Sequence, residues 1–74
     1  MTDQVINEVV AERRRQDEKW GGPEHDDQHL TDDFFSLIDA RITYNMKISD
    51  SRKALIEIAA LAVAAVESLD RRWP

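Results

Sequence analysis

Between Trp20 and Ala40 the chain carries six carboxylates and no lysine or arginine, and both of its histidines fall within that stretch. The run Glu24-His25-Asp26-Asp27-Gln28-His29 is its densest group of side chains able to ligate a metal or move a proton. Carboxylate-rich loops suit magnesium or manganese better than zinc, whose structural Cys/His spacing is absent here. On that reading Asp26, Asp27 and His29 are candidate ligands, and His25 faces the same way as His29 only if the loop is helical. On the plainer reading Asp26 and Asp27 close Asx turns and His25 caps a helix end.

The cations are concentrated upstream, in Glu12-Arg13-Arg14-Arg15-Gln16-Asp17-Glu18-Lys19. Such a run is ordinarily a solvated face laced with i,i+4 pairs, here Arg13 with Asp17 and Arg14 with Glu18. The sharper reading turns Arg13, Arg14 and Arg15 into a cleft, where guanidinium geometry suits phosphate. Arg41 would join them, and Trp20 or Tyr44 would stack on a base. Other chemistry is missing. There is no cysteine for a thiol nucleophile, the serines lack a histidine at any motif spacing, and Gly21-Gly22 is too short to cradle a phosphate.

What must position these groups is the stretch Ala54–Val66, ALIEIAALAVAAV, whose one polar member is Glu57. Alanine and leucine without interruption make a helix. A surface helix needs an apolar stripe about 100° wide, yet this one is apolar nearly all round. Something must cover almost every side of it, and two further short helices are scant cover. Seventy-four residues make one domain, of a size that buries only roughly 60% of its unfolded surface. With neither disulfides nor a thiolate metal site to staple it, association with copies of itself is the device left.

The stretch falls short of the ~20 apolar residues that span a bilayer. The N-terminus has neither the basic start nor the cleavage site of a signal peptide. The expectation is a cytoplasmic protein away from membranes. Its net charge of −5 argues against nonspecific nucleic-acid binding.

The periodicity predicts an all-α domain spanning 1–74, with helices over 3–19, 32–46 and 50–71 and an acidic loop over 20–30. Val5, Ile6, Val9 and Val10 give the first helix a narrow stripe, with Thr2 or Asp3 as cap. Trp20-Gly21-Gly22-Pro23 ends it. Thr31, Asp32 and Asp33 open the second helix, whose apolar face comprises Phe34, Phe35, Leu37, Ile38, Ile42 and Tyr44. Asn45 to Ser49 connects to the third, capped by Ser49 or Asp50. The last two helices form an antiparallel hairpin, and two hairpins would build a four-helix bundle. Glu57 in its apolar helix has a partner, is protonated or faces a polar cavity, and Arg41, Arg52 or a cation of another subunit are the candidate partners.

Three stretches carry a resemblance: Glu12 to Gly21 (ERRRQDEKWG), Pro23 to His29 (PEHDDQH), and Ile58 to Arg72 (IAALAVAAVESLDRR). They resemble small phage and prophage proteins of unassigned role, which in turn are similar to MazG-type all-α nucleoside triphosphate pyrophosphohydrolases. That resemblance implies a magnesium site built from a Glu-x-x-Glu pair on one helix and a Glu-x-x-Asp pair on the next. Here the second pair falls on Ala54 and Glu57. The first falls on Asp39 and Ile42, or on Ala40 and Thr43. Asp39 and Glu57 are the acids that remain, a set too small to activate water on a triphosphate.

Three functions follow as expectations. The first is a non-catalytic helical oligomer that binds a nucleotide or nucleotide-like signal, as a phage protein would to counteract host defence. The second is a divergent magnesium-dependent pyrophosphohydrolase using Asp39 and Glu57, helped by Asp26, Asp27 and His29. The third is an acidic inhibitor whose loop, Glu24 to Asp33, binds a host protein by imitating a nucleic-acid backbone.

Overall fold

Thr2 starts the chain's first helix: its hydroxyl accepts a hydrogen bond from the Val5 amide at 3.4 Å, satisfying one of the orphan donors of the first turn. In the computed structural model, which describes residues 2–29, 31–44 and 51–72, that helix is α1, Asp3–Trp20. It is followed by α2 (Gly22–Asp26), α3 (Thr31–Tyr44) and α4 (Ser51–Arg72). The described residues are helical throughout their regular structure, without a strand.

The fourth helix corrects the expectation of three helices joined by an irregular acidic loop. Gly21 sits in the left-handed region, φ +106°, and its amide donates to the Asp17 carbonyl at 2.8 Å, which closes α1. The same residue is the N-cap of α2, and Pro23 lies in that helix's first turn, where its missing N–H costs nothing. One glycine therefore stops a helix and redirects the chain into another. The loop expected over 20–30 is helical from Gly22 to Asp26.

α4 is the axis of the fold. α1 and α3 pack on it from two sides, and α2 bridges α1 and α4. Among the described residues the backbones of α1 and α3 stay more than 8 Å apart, so α4 is what joins them. Its inward positions Ala54, Ala60, Leu61, Ala64 and Ser68 are buried, as is Phe34 of α3. Small residues let the helices approach closely, but the resulting core is thin: Phe34 and Leu61 are its large apolar members among the described residues. Val5, Ile6, Val10, Phe35, Ile42, Leu55, Val63 and Val66 remain exposed. No helix among the described residues is long and apolar enough to cross a membrane. The expected connection at Asn45 to Ser49 and its cap at Ser49 or Asp50 lie outside the described residues.

Candidate functional site

The acidic segment becomes a site because α2 is tied down onto α4. The Ser68 hydroxyl, itself buried, donates to the Asp27 carboxylate at 2.8 Å. Arg71 donates to the same carboxylate at 2.7 and 3.0 Å, a charge-assisted fork. The Arg71 and Ser68 hydrogen bonds hold the Asp27 carboxyl below its ordinary range. Arg72 reaches along the same face and donates to the carbonyls of Asp26, at 3.0 Å, and His29. These carbonyls end the short helix, and the guanidinium supplies the donors that no further turn provides.

So anchored, α2 and its last turn point His25, Asp26 and His29 toward α1 and α3. The amides of Asp27, Gln28 and His29 donate back to the carbonyls of Pro23, His25 and Asp26 at 2.9–3.1 Å, so the chain is wound as a helical turn from His25 to His29. That puts both rings on one side. They meet edge to face, 4.6 Å between centroids, with the two Nε2 atoms 2.9 Å apart. At that distance the rings share a hydrogen bond where one nitrogen donates and the other accepts. His29 also stands edge to face on Phe34 at 5.8 Å, and its Nδ1 lies 3.6 Å from the Asp33 carboxylate.

Between these groups lies a cavity of about 240 Å³, walled by Trp20, His25, His29, Phe34 and Leu37, with Asp17 and Asp26 on its polar side. Asp26 is 8% exposed, and its Oδ2 has no hydrogen-bond partner. Burial and then the neighbouring Asp17 carboxylate push its carboxyl above the ordinary carboxylate range. Gln16, also buried, braces the wall by donating to Glu12 at 3.1 Å and to the Glu57 carbonyl at 3.4 Å. The Arg41 guanidinium lies 5.7 Å from the centre of the Trp20 ring, and Lys19 lies 5.4 Å from it.

The expected site residues are only partly gathered here. Arg41 and Trp20 do meet. Arg13 and Arg14 border a groove between α1 and α4, Arg15 does not, and none of the three lines the cavity beside Trp20. Arg13 pairs with Glu67 of α4 at 2.6 Å, and Arg15 with Glu12 at 2.6 Å, in place of the pairs Arg13–Asp17 and Arg14–Glu18 expected from spacing. Arg14 is exposed and borders a separate apolar groove between α1 and α4. Tyr44 belongs to α3, but its side chain lies outside the described residues.

The acids are equally dispersed. Glu57 faces Arg41, with 3.3 Å between Oε2 and Nε, and both side chains are largely shielded from water. Of the partners the sequence allowed, Arg41 is therefore the one used, while Arg52 turns to Glu8 at 2.8 Å. Asp39 is exposed on α3, and Asp27 is occupied by Arg71 and Ser68. Asp26 and His29 share the cavity wall. Among the described residues no group of three or more histidine, aspartate or glutamate side chains is placed to hold a metal ion. The five ligands Asp26, Asp27, His29, Asp39 and Glu57 thus do not form one centre.

What sequence reasoning missed is the clamp. Ser68, Arg71 and Arg72 fall at i, i+3 and i+4 on one helix face, a spacing that marks a common target, but the target is remote in sequence. Comparisons with protein-family models, with curated proteins and with solved structures return no match.

Proposed function

We propose that the chain is a non-catalytic helical oligomer that binds a nucleotide or nucleotide-like molecule, its base held in the cavity beside Trp20. The observation that carries this reading is the pairing of an aromatic wall with a buried, unpartnered acceptor at Asp26. A planar base with an exocyclic amino group offers both a π-face for Trp20 and Phe34 and a donor for Asp26. The cavity lies below the ~300–1,000 Å³ of most small-molecule sites, so a base fits and a phosphate stays outside, toward the Arg41 guanidinium at the ring of Trp20. Holding such a signal away from its receptor would be the service a phage-type protein performs against host defence.

Two features favour binding over turnover. Glu57 is engaged by Arg41, and Asp39 stands apart on the surface, so neither is free to share a magnesium ion with the other. The inhibitor reading is weakened as well, because Asp26 is buried and the exposed Asp27 is paired with Arg71, which leaves a thinner free acidic surface than the sequence suggested.

Thermal unfolding with mono-, tri- and cyclic nucleotides tests the proposal. A ligand at 100 times its Kd stabilises by about 2.7 kcal/mol. The expected result is an upward shift with at least one purine or cytosine nucleotide, lost in Trp20→Ala, with no phosphate or pyrophosphate released in magnesium. A flat response to the whole panel sinks the binding reading, and turnover sinks the non-catalytic one.

A further inference from the structure

The outer face of α4 carries a second apolar seam. Leu55, Ala59, Ala62, Val66 and Leu69 recur at spacings of four, three, four and three, the d-a-d-a-d pattern of a coiled-coil helix. The inward seam, Ala54, Glu57, Leu61, Ala64 and Ser68, lies about 140° away round the same helix. Its own chain covers the inward seam, whereas Leu55 is 63% and Val66 56% exposed. Val63, beside the outer seam, is 39% exposed. Next to it runs a groove of about 550 Å³, walled by Val5, Ile6, Val9 and Val10 of α1 and by Ala59 and Val63 of α4.

We infer that a second copy of this chain occupies this face, its α4 laid along the outer seam and its α1 closing the groove from the far side. The inference rests on the proposed association of copies and names where it happens.

Charge and symmetry agree with a like partner. Arg13 and Glu67 on the groove's rim are already paired within the chain, which leaves Arg14 and Asp17 as the opposite charges that a two-fold copy can set against each other across the seam. Two α1–α4 pairs related in this way make a four-helix arrangement, with Ala59 and Ala62 letting the two α4 helices approach closely.

The chain has no cysteine, so single-cysteine variants report the seam directly. Ala62 is at its midpoint and meets its own copy whether the two α4 helices run parallel or antiparallel. Light scattering on the unmodified protein is expected to give twice the 8.6 kDa chain mass or a multiple of it. Ala62→Cys should form an interchain disulfide under mild oxidation, and Ser36→Cys, exposed on α3, should not. Val66→Glu should weaken association on the order of 100-fold. Where that variant loses its helicity, the Ala62→Cys and Ser36→Cys pair decides alone. A single-chain mass at every concentration overturns both the association and its place, and leaves the seam to a different protein. An oligomer in which Ala62→Cys cross-links no faster than Ser36→Cys overturns the seam and leaves association standing.

Discussion

Ser68 and Asp27 lie 2.8 Å apart although 41 residues separate them in sequence, and that hydrogen bond fastens the short helix α2 to the axis of the fold. Ser68 is 1% exposed, so its hydroxyl has no water to fall back on. Ser68→Ala should cost about 1 kcal/mol, lowering Tm by roughly 4–8 °C in a domain of this size. The loss should spread to the histidine pair, because α2 positions both rings. Heteronuclear NMR of the ring protons reads this: displaced His25 and His29 signals are expected in the variant. Unchanged ring signals would show that α2 is held by Arg71 and Arg72 alone.

Gly21 carries a second prediction. Its φ of +106° lies where a side chain is strained, though an added Cβ would meet only the His25 Cβ, at an ordinary 3.5 Å. The penalty for Gly21→Ala is therefore one of backbone conformation, about 1–2 kcal/mol in thermal unfolding. Gly21→Asn should cost less, since asparagine tolerates the left-handed region better. Equal stability for glycine and alanine would mean the turn does not need this conformation.

Much of the fold was legible in the sequence because its signals are local. Alanine and leucine without a breaker wrote α4, the stripe at Val5, Ile6, Val9 and Val10 wrote α1, and Thr31-Asp32-Asp33 marked the start of α3. The short helix α2 was obscured because a Gly-Gly-Pro sequence serves equally as a stop and as a start, and five residues give periodicity nothing to register. The fate of the arginines was illegible for another reason. Spacing offers Arg13 a partner at Asp17, but the packing of α1 on α4 offers Glu67, and only the tertiary structure chooses. For Glu57 the sequence narrowed the choice, since a carboxylate in an apolar helix needs a partner, a proton or a polar cavity, but only the packing of α3 on α4 selected Arg41 from the candidates. Which residues wall the cavity beside Trp20 depends on α2, and so was hidden with it.

Asp26 and Asp27 are adjacent but should respond to pH in opposite ways. Asp27, like Glu12 with Arg15, has its carboxyl held down in the folded chain. Between that lowered value and its ordinary 3.8 the unfolded chain binds more protons, so stability is complete above 3.8 and is lost as pH falls. Asp26 has its carboxyl pushed up by burial and by Asp17. From its ordinary 3.8 upward to the raised value the folded chain binds more protons, so this residue's contribution falls as pH rises through that window. Asp26→Asn should therefore flatten the decline above pH 4 and leave the protein more stable at pH 7. Urea midpoints from pH 3 to 7 check this, and parallel curves for the two proteins would contradict it.

The Arg41–Glu57 contact separates stability from binding. Its 3.3 Å approach lacks hydrogen-bond geometry at the buried Arg41 Nε, so the pair gains from charge without a well-made hydrogen bond. Removing one member leaves the other poorly solvated, and Arg41→Ala or Glu57→Ala alone should cost about 1–3 kcal/mol in urea unfolding, less than a fully buried pair because both side chains keep some access to water. Arg41→Leu with Glu57→Leu should recover most of that loss, since an apolar pair of similar bulk carries no desolvation penalty. Binding should not recover with it. Arg41 also stands 5.7 Å from the Trp20 ring, where the proposed phosphate arrives, so the double variant should be stably folded yet bind nucleotide at least tenfold more weakly. A double variant that regains stability and binds as tightly as the unmodified chain would remove Arg41 from the ligand site and leave it a purely structural partner of Glu57.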